Sequence, residues 1–366
     1  MVTPTTWLSA FILLLLSICC FASWPVAFKR AGRWRFELFS CDFAAGALVF
    51  SLLAAYTLGT LGSALGFGDR ILVAGRTDQA LAVVAGACFA LANMLFLSSV
   101  SLIGMAAAFP LTVGTACVVV ALSGWRASHP MLLLFGITLV IVTVVLDAVA
   151  IKKRGAALAA SAAAAAPAPA IPVTPPPVGA KTIRSSKSAS KNKPGKRWRM
   201  STKGILVGVI GGLALGVCLP IIYQSTFNEF GLAPYAGLLL FCLGLFGATL
   251  ALNIYFMNIA IHGGPLTLNS YFNGNLQQHL LGFAGGAIWG GGTLALGLAL
   301  YVPAPNGLSA PVSFIVPPLT VLLAMFWGSA FWKEYASAPA AAKRFLFVSA
   351  AFFIGGIALL GLGAAH

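Results

Sequence analysis

The sequence predicts an all-α membrane protein of ten transmembrane helices, built as two inverted five-helix repeats. Three observations predict it. Apolar residues make up 60% of the 366 positions and charged residues only 8%, whereas a soluble globular chain carries about 25% charged residues. Short motifs recur between the two halves: Phe109-Pro110-Leu111-Thr112 is echoed 208 residues later by Pro317-Pro318-Leu319-Thr320, and Trp24-Pro25 by Leu219-Pro220, 195 residues on. A basic, Ala/Pro-rich stretch divides the chain, giving an N-terminal repeat over 1–151, a linker over 152–202 and a C-terminal repeat over 203–366. Two related halves of about five spans each are a pattern of secondary transporters.

A span needs about 20 mainly apolar residues. Segments 6–28, 38–61, 80–100, 103–123, 130–151, 204–226, 233–259, 279–301, 311–332 and 345–364 qualify. The first has no basic residues ahead of it, and Lys29-Arg30 follow it in place of a small-residue cleavage site, so it reads as a retained helix and not as a signal peptide. The seven cysteines fall in or beside apolar runs with no C-x-x-C pair, and read as small buried hydrophobes.

Basic residues set the expected orientation. With the N-terminus outside, 19 of the 22 Lys and Arg face the cytoplasm, among them Lys29, Arg30, Arg33, Arg35, all of the linker's, Lys333, Lys343 and Arg344. The expectation is a multi-pass protein of the cell (inner or plasma) membrane with both termini outside and a cytoplasmic linker. An odd number of spans per half then makes the two halves insert in opposite senses. The net charge of +15 arises largely in the linker. Its composition suits a disordered tether near anionic lipid better than a nucleic-acid surface. No phosphate-loop motif and no Ser/His/Asp or metal-helix motif occurs, so no enzyme activity, cofactor or metal is expected. The partners expected are a small-molecule substrate and the bilayer; a homodimer is left open.

The segments WPVAFKRAGRWRFELFSCDFAAG, from Trp24, and GFAGGAIWGGGTLAL with PPLTVLLAMFWGSAFWKEY, between Gly282 and Tyr335, resemble the drug/metabolite transporter superfamily. The likeness is to its EamA-like members, and within them to the ureide-permease and glucose/ribose-porter type branch. It spans both halves and spares the linker. The resemblance implies a ten-helix fold, a central cavity, alternating access and cargo such as ureides, nucleobases or sugars. Two features depart from the pattern: Lys333-Glu334 stands where Gly-Glu is common, and the linker lacks the nucleotide-binding-like motif of the plant ureide permeases.

Among acidic residues, only Asp42 and Asp147 fall within the expected spans. Each is a candidate for coupling or gating, because an intramembrane charge is costly unless paired or hydrated. The alternative is a tether, Asp42 to Arg33 or Arg35, and Asp147 to Lys152, Lys153 or Arg154. Glu334 is expected to pair with Lys333, Lys343 or Arg344. For binding, the candidates are polar and aromatic residues expected at mid-helix depth: Trp24, Tyr56, Asn93, Thr112, Thr115, Tyr223, Asn253, Trp289, Thr293 and Thr320. Pro25, Pro110, Pro220 and Pro318 are candidate hinges, since proline removes a backbone donor and frees a carbonyl. With no cation in any span core, such a pocket suits an uncharged, hydrogen-bonding solute. A non-transporting scaffold that displays its basic linker, and a drug or metabolite exporter, are the rival readings.

Overall fold

A computed structural model describes residues 1–61, 66–123, 129–164, 194–227, 231–301 and 316–364, and every element among them is helical. In chain order these are α1 (Trp7–Arg30), α2 (Phe36–Tyr56), α3 (Phe67–Val73), α4 (Arg76–Ile103), α5 (Met105–Ser123), α6 (Pro130–Ala164), α7 (Pro194–Phe227), α8 (Pro234–Asn258), α9 (Asn269–Phe272), α10 (Leu276–Leu300), α11 (Val316–Phe326) and α12 (Ala340–Ala364). A π-helical turn, Trp327–Phe331, continues α11. Among the described residues, all but α3, α9 and α11 are long and apolar enough to cross a membrane, which makes nine such helices. The ninth expected span appears as the shorter apolar helix Val316–Phe331. Residues 311–315, where it was expected to begin, lie outside the described residues.

Local chemistry sets the ends of these helices. Thr6 caps α1 by accepting from the Ser9 N–H, and Asn275 caps α10 through a reciprocal pair with Gln278. Proline opens α6, α7 and α8, where its missing donor costs nothing. The expected linker boundaries shift: α6 runs past Ile151 to Ala164, and α7 starts at Pro194. Alanine is the best helix former, and the run from Ala156 contains neither Gly nor Pro before Pro167. The rest of the expected tether, 165–193, lies outside the described residues.

Helix α4 packs on α7 and α8, while α10 packs on α1 and α2; α5 lies on α7, and α11 on α1. Helices α6 and α12 pair with each other, as do α2 and α8. Glycine permits the tightest of these contacts. A Cβ on Gly86 of α4 would overlap the Phe241 carbonyl of α8, and one on Gly244 of α8 would overlap the Val83 carbonyl of α4. The α2–α10 seam has the same reciprocal arrangement. A Cβ on Gly286 would overlap the Phe43 carbonyl, and one on Gly46 the Phe283 carbonyl. Apolar area drives little association between helices in lipid, so such backbone approaches carry the packing.

Gly86→Val and Gly286→Val should each destabilise the protein by about 3 kcal/mol or more, through overpacking against backbone that cannot withdraw. Gly247→Ala should be near neutral, because a Cβ there meets nothing within 4 Å. Thermal unfolding in detergent micelles compares the three.

Candidate functional site

The middle of the bundle is aromatic. The Trp24 ring lies 4.7 Å from Phe43 and 5.8 Å from Phe96, and Phe96 lies 4.9 Å from Phe109. Phe43 is 5.8 Å from Trp289, which stacks on Phe89 at 4.6 Å and approaches Phe241 at 5.7 Å. These rings join α1, α2, α4, α5, α8 and α10. Asn93 shares the α4 face of Phe89 and Phe96, being four residues from one and three from the other. It is buried, and its Oδ1 has no hydrogen-bond partner among the described residues. Asn253 of α8 donates Nδ2–H to Cys41 Sγ of α2 at 2.8 Å, while its Oδ1 is left without a partner. Thr320 of α11 is also buried, with an unpartnered Oγ1. A buried polar atom without a partner costs about 1–3 kcal/mol, so these three are places where a hydrogen-bonding solute or water would be welcomed.

The other binding candidates are placed differently. Thr115 and Thr293 donate to carbonyls of their own helices, Leu111 at 2.7 Å and Trp289 at 3.0 Å. Thr112 donates across to the Gly208 carbonyl of α7 at 3.2 Å. Tyr56 is the last residue of α2, is 68% exposed and packs on Phe67 of α3; Tyr223 is 64% exposed near the end of α7. The mid-helix expectation for these two tyrosines is corrected, because each helix carries its tyrosine out to a surface. Pro25, Pro110 and Pro220 lie inside α1, α5 and α7. Pro318 sits in the first turn of α11, where it interrupts no hydrogen bond.

Ionic contacts gather on one face of the bundle, the face that carries the ends of α1, α4, α6, α8 and α11 and the starts of α2, α5, α7, α10 and α12. Since α6 and α7 flank the linker, this is the linker face. Asp42 is buried there and does not pair with Arg33 or Arg35 as expected. It accepts from the Tyr271 hydroxyl at 2.6 Å and faces His279 Nδ1 at 3.0 and 3.1 Å. Arg35 turns instead to Glu37 and to the Gly264 carbonyl. Seven residues on from Arg35, nearly two full turns, Asp42 is out of reach of a guanidinium held at the base of α2. Asp147 likewise misses Lys152, Lys153 and Arg154. It lies on the α6 face toward α12 and accepts from Ser349 Oγ at 2.5 Å, while Arg154 donates to the Ile103 carbonyl at the end of α4 at 2.9 Å.

Glu334 departs furthest from expectation. It bonds Lys29 of α1 and accepts from the backbone N–H groups of Met105 and Ala106 at 2.9 and 2.8 Å. Its carboxylate therefore sits on the positive end of α5. Lys333 makes this possible: its positive φ of 49° ends the π turn, and the Glu334 N–H bonds back to the Gly328 carbonyl at 3.1 Å. Gly104 and Gly328 leave the room, since a Cβ on either would crowd the carboxylate.

Sequence reasoning missed Tyr271, His279 and the buried Glu37. His279 opens the expected eighth span at a depth comparable to that of Asp42 in the second, and that shared depth was the available signal. Tyr271 stays a phenol: burial first, then the hydrogen bond and charge of Asp42, push its pKa above the ordinary range. Burial and the Arg35 guanidinium lower the pKa of His262 in the loop after α8, against an opposing pull from Glu37.

A histidine with a lowered pKa in the fold binds fewer protons than in the unfolded chain, so its contribution is present above about pH 6.5 and is lost as pH falls from there through the lowered folded value. Stability should therefore decline over that range, and His262→Gln should flatten that part of the curve in pH-dependent thermal unfolding. Glu334→Gln should cost about 2 kcal/mol by weakening charge-assisted bonds to two amides and leaving Lys29 unpaired. Urea titration in micelles measures it.

No protein-family model matches this chain, and no curated relative matches it. One solved structure, described only as a crystal structure of a protein, aligns over 97% of this chain and 98% of its own, at 14% identity and a TM-score of 0.48.

Proposed function

We propose that this chain is a secondary transporter of small, mostly neutral, hydrogen-bonding metabolites of the nucleobase, ureide or sugar type, working by alternating access between two inverted repeats. The single observation that carries the reading is the doubled seam. Gly86 and Gly286 stand 200 residues apart, and a Cβ on either would make the same overlap, with the carbonyls of Phe241 and Phe43, which stand 198 apart; Gly244 and Gly46 repeat it in reverse on Val83 and Phe283. Phe89 and Trp289, again 200 apart, stack on each other. The helix pairings follow the same relation: α4 with α7 answers α10 with α1, and α5 with α7 answers α11 with α1. Two halves related this way can exchange their conformations, and the exchange opens first one face and then the other.

In this reading the linker face is cytoplasmic and both termini are outside. The conformation described is shut on the linker face by Lys29–Glu334 and by the Asp42 cluster. Trp24 and Trp289 offer ring faces, and Asn93, Asn253 and Thr320 offer unspent hydrogen-bonding atoms. Asp42 is the coupling carboxylate; Asp147, bonded to Ser349 between α6 and α12, is a second gating acid.

Proteoliposomes loaded with pools of unlabelled nucleobases, ureides or sugars should exchange an external radiolabelled member of one pool saturably. Asn93→Ala should lower that exchange about tenfold while the protein stays folded. Absence of exchange for every pool, with folded protein in the vesicles, would contradict transport of this class.

A further inference from the structure

We propose that Asp42, His279 and Tyr271 form a proton-operated latch that holds the linker face shut, and that the matched seam on the opposite face is built without one. The inference rests on the alternating-access reading and adds a direction to it: protons act on the bundle from the linker side.

The argument comes from comparing the two seams position by position. Along α4 and α10, the offset that relates Gly86 to Gly286 relates Gln79 to His279. Along α2 and α8, the offset that relates Gly46 to Gly244 relates Asp42 to Leu240. So where the linker-face seam sets an acid against an imidazole, the opposite seam has an amide and an aliphatic chain. Gln79 donates to the carbonyls of Ile71 at 2.8 Å and Ala74 at 3.1 Å, which ties α4 to α3 by bonds that no pH change breaks. The described acids on that face lie elsewhere: Asp69 bonds the Gly66 N–H at the start of α3, and Asp78 lies against Gly75 at the start of α4.

The latch is closely enclosed. From α10, a Cβ on Gly282 would crowd the Asp42 side chain, so the two helices meet at this level. From α9, the Tyr271 hydroxyl donates to Asp42 and its ring lies edge-on to His279 at 4.8 Å. From the α1–α2 loop, the Trp34 ring lies edge-on to His279 at 5.1 Å. From α8, Asn253 binds Cys41 beside the acid. The nearby charges, Arg35 and Glu37, are spent on each other. Asp42 must therefore be an acceptor, for it faces one phenol donor and one imidazole nitrogen. As a carboxylate it accepts from both. A proton on His279 turns its contact with the carboxylate into a charge-assisted ion pair, and α2 tightens its hold on α10.

Hydrogen–deuterium exchange on the full chain in lipid nanodiscs, in a His262→Gln background and without solute, tests this. Between pH 8 and pH 5, corrected for intrinsic rates, the segment 269–282 should exchange about tenfold more slowly at the acid end, while the matched segment 76–82 should not change. Asp42→Asn should abolish the response. Tyr271→Phe, which removes one donor and carries little risk to folding, should speed exchange of 269–282 at pH 8 and leave a pH response in place. A flat profile in 269–282, an equal response in both segments, a full response in Asp42→Asn, or no effect of Tyr271→Phe would each overturn the latch. Because no solute is present, a flat profile leaves transport standing, and a failed exchange assay leaves the latch standing.

Discussion

Everything in this bundle depends on how closely four helix backbones approach at two glycine seams. Water drives apolar helices together in soluble proteins, but lipid tails are as apolar as leucine, so contact must come from fit and from polar bonds. At Gly86, Gly244, Gly46 and Gly286 the fit is backbone against backbone. With α4 drawn onto α8 and α10 onto α2, the rings of Phe89 and Trp289 meet between the seams, and Phe43 and Phe241 close around them. The aromatic centre is thus a consequence of the seams. A larger residue at any of the four glycines would separate the helices that position it.

Ion pairs are distributed unequally over the described residues of the bundle. The linker face holds the ion pairs found among the described residues, Lys29–Glu334, Arg35–Glu37 and Asp42–His279. Each of the first and last joins helices from different halves of the chain. Their partners are shared with backbone: Glu334 with the first amides of α5, Arg35 with the Gly264 carbonyl. Buried carboxylates are tolerable here because amides and hydroxyls, as well as cations, supply the bonds that ionisation requires. In the proposed alternating-access reading, these contacts, which among the described residues lie on the linker face, favour one of the two conformations.

Much of this was legible in the sequence. Hydropathy located the spans, because the need for about 20 apolar residues leaves few alternatives. The recurrence of proline and threonine motifs suggested two related halves, which the proposed function takes up. Side-chain partners were not legible. Asp42 looked tied to its neighbours Arg33 and Arg35, but a helix turns a residue away from near neighbours and toward one distant in sequence, and Tyr271 and His279 came from such a distance. Glu334 was misassigned for a related reason: its partner is the end of a helix, which no residue type announces. Tyr56 and Tyr223 were expected in the interior because aromatic residues suit a pocket, yet the same amphipathic ring suits a helix end at an interface equally well. The middle of the chain shows the converse error. Its composition was read for polarity, while its alanines extended α6 to Ala164.

The central claim is that two related halves exchange conformations and open opposite faces in turn. Pulsed electron–electron resonance on two doubly labelled variants in nanodiscs tests it most directly. One variant carries labels at the linker-face ends of α2 and α10, the other at their opposite ends. The account predicts two populations in each, with conditions that lengthen the linker-face distance shortening the other. A single unchanging distance at both faces, or both distances lengthening together, would contradict it.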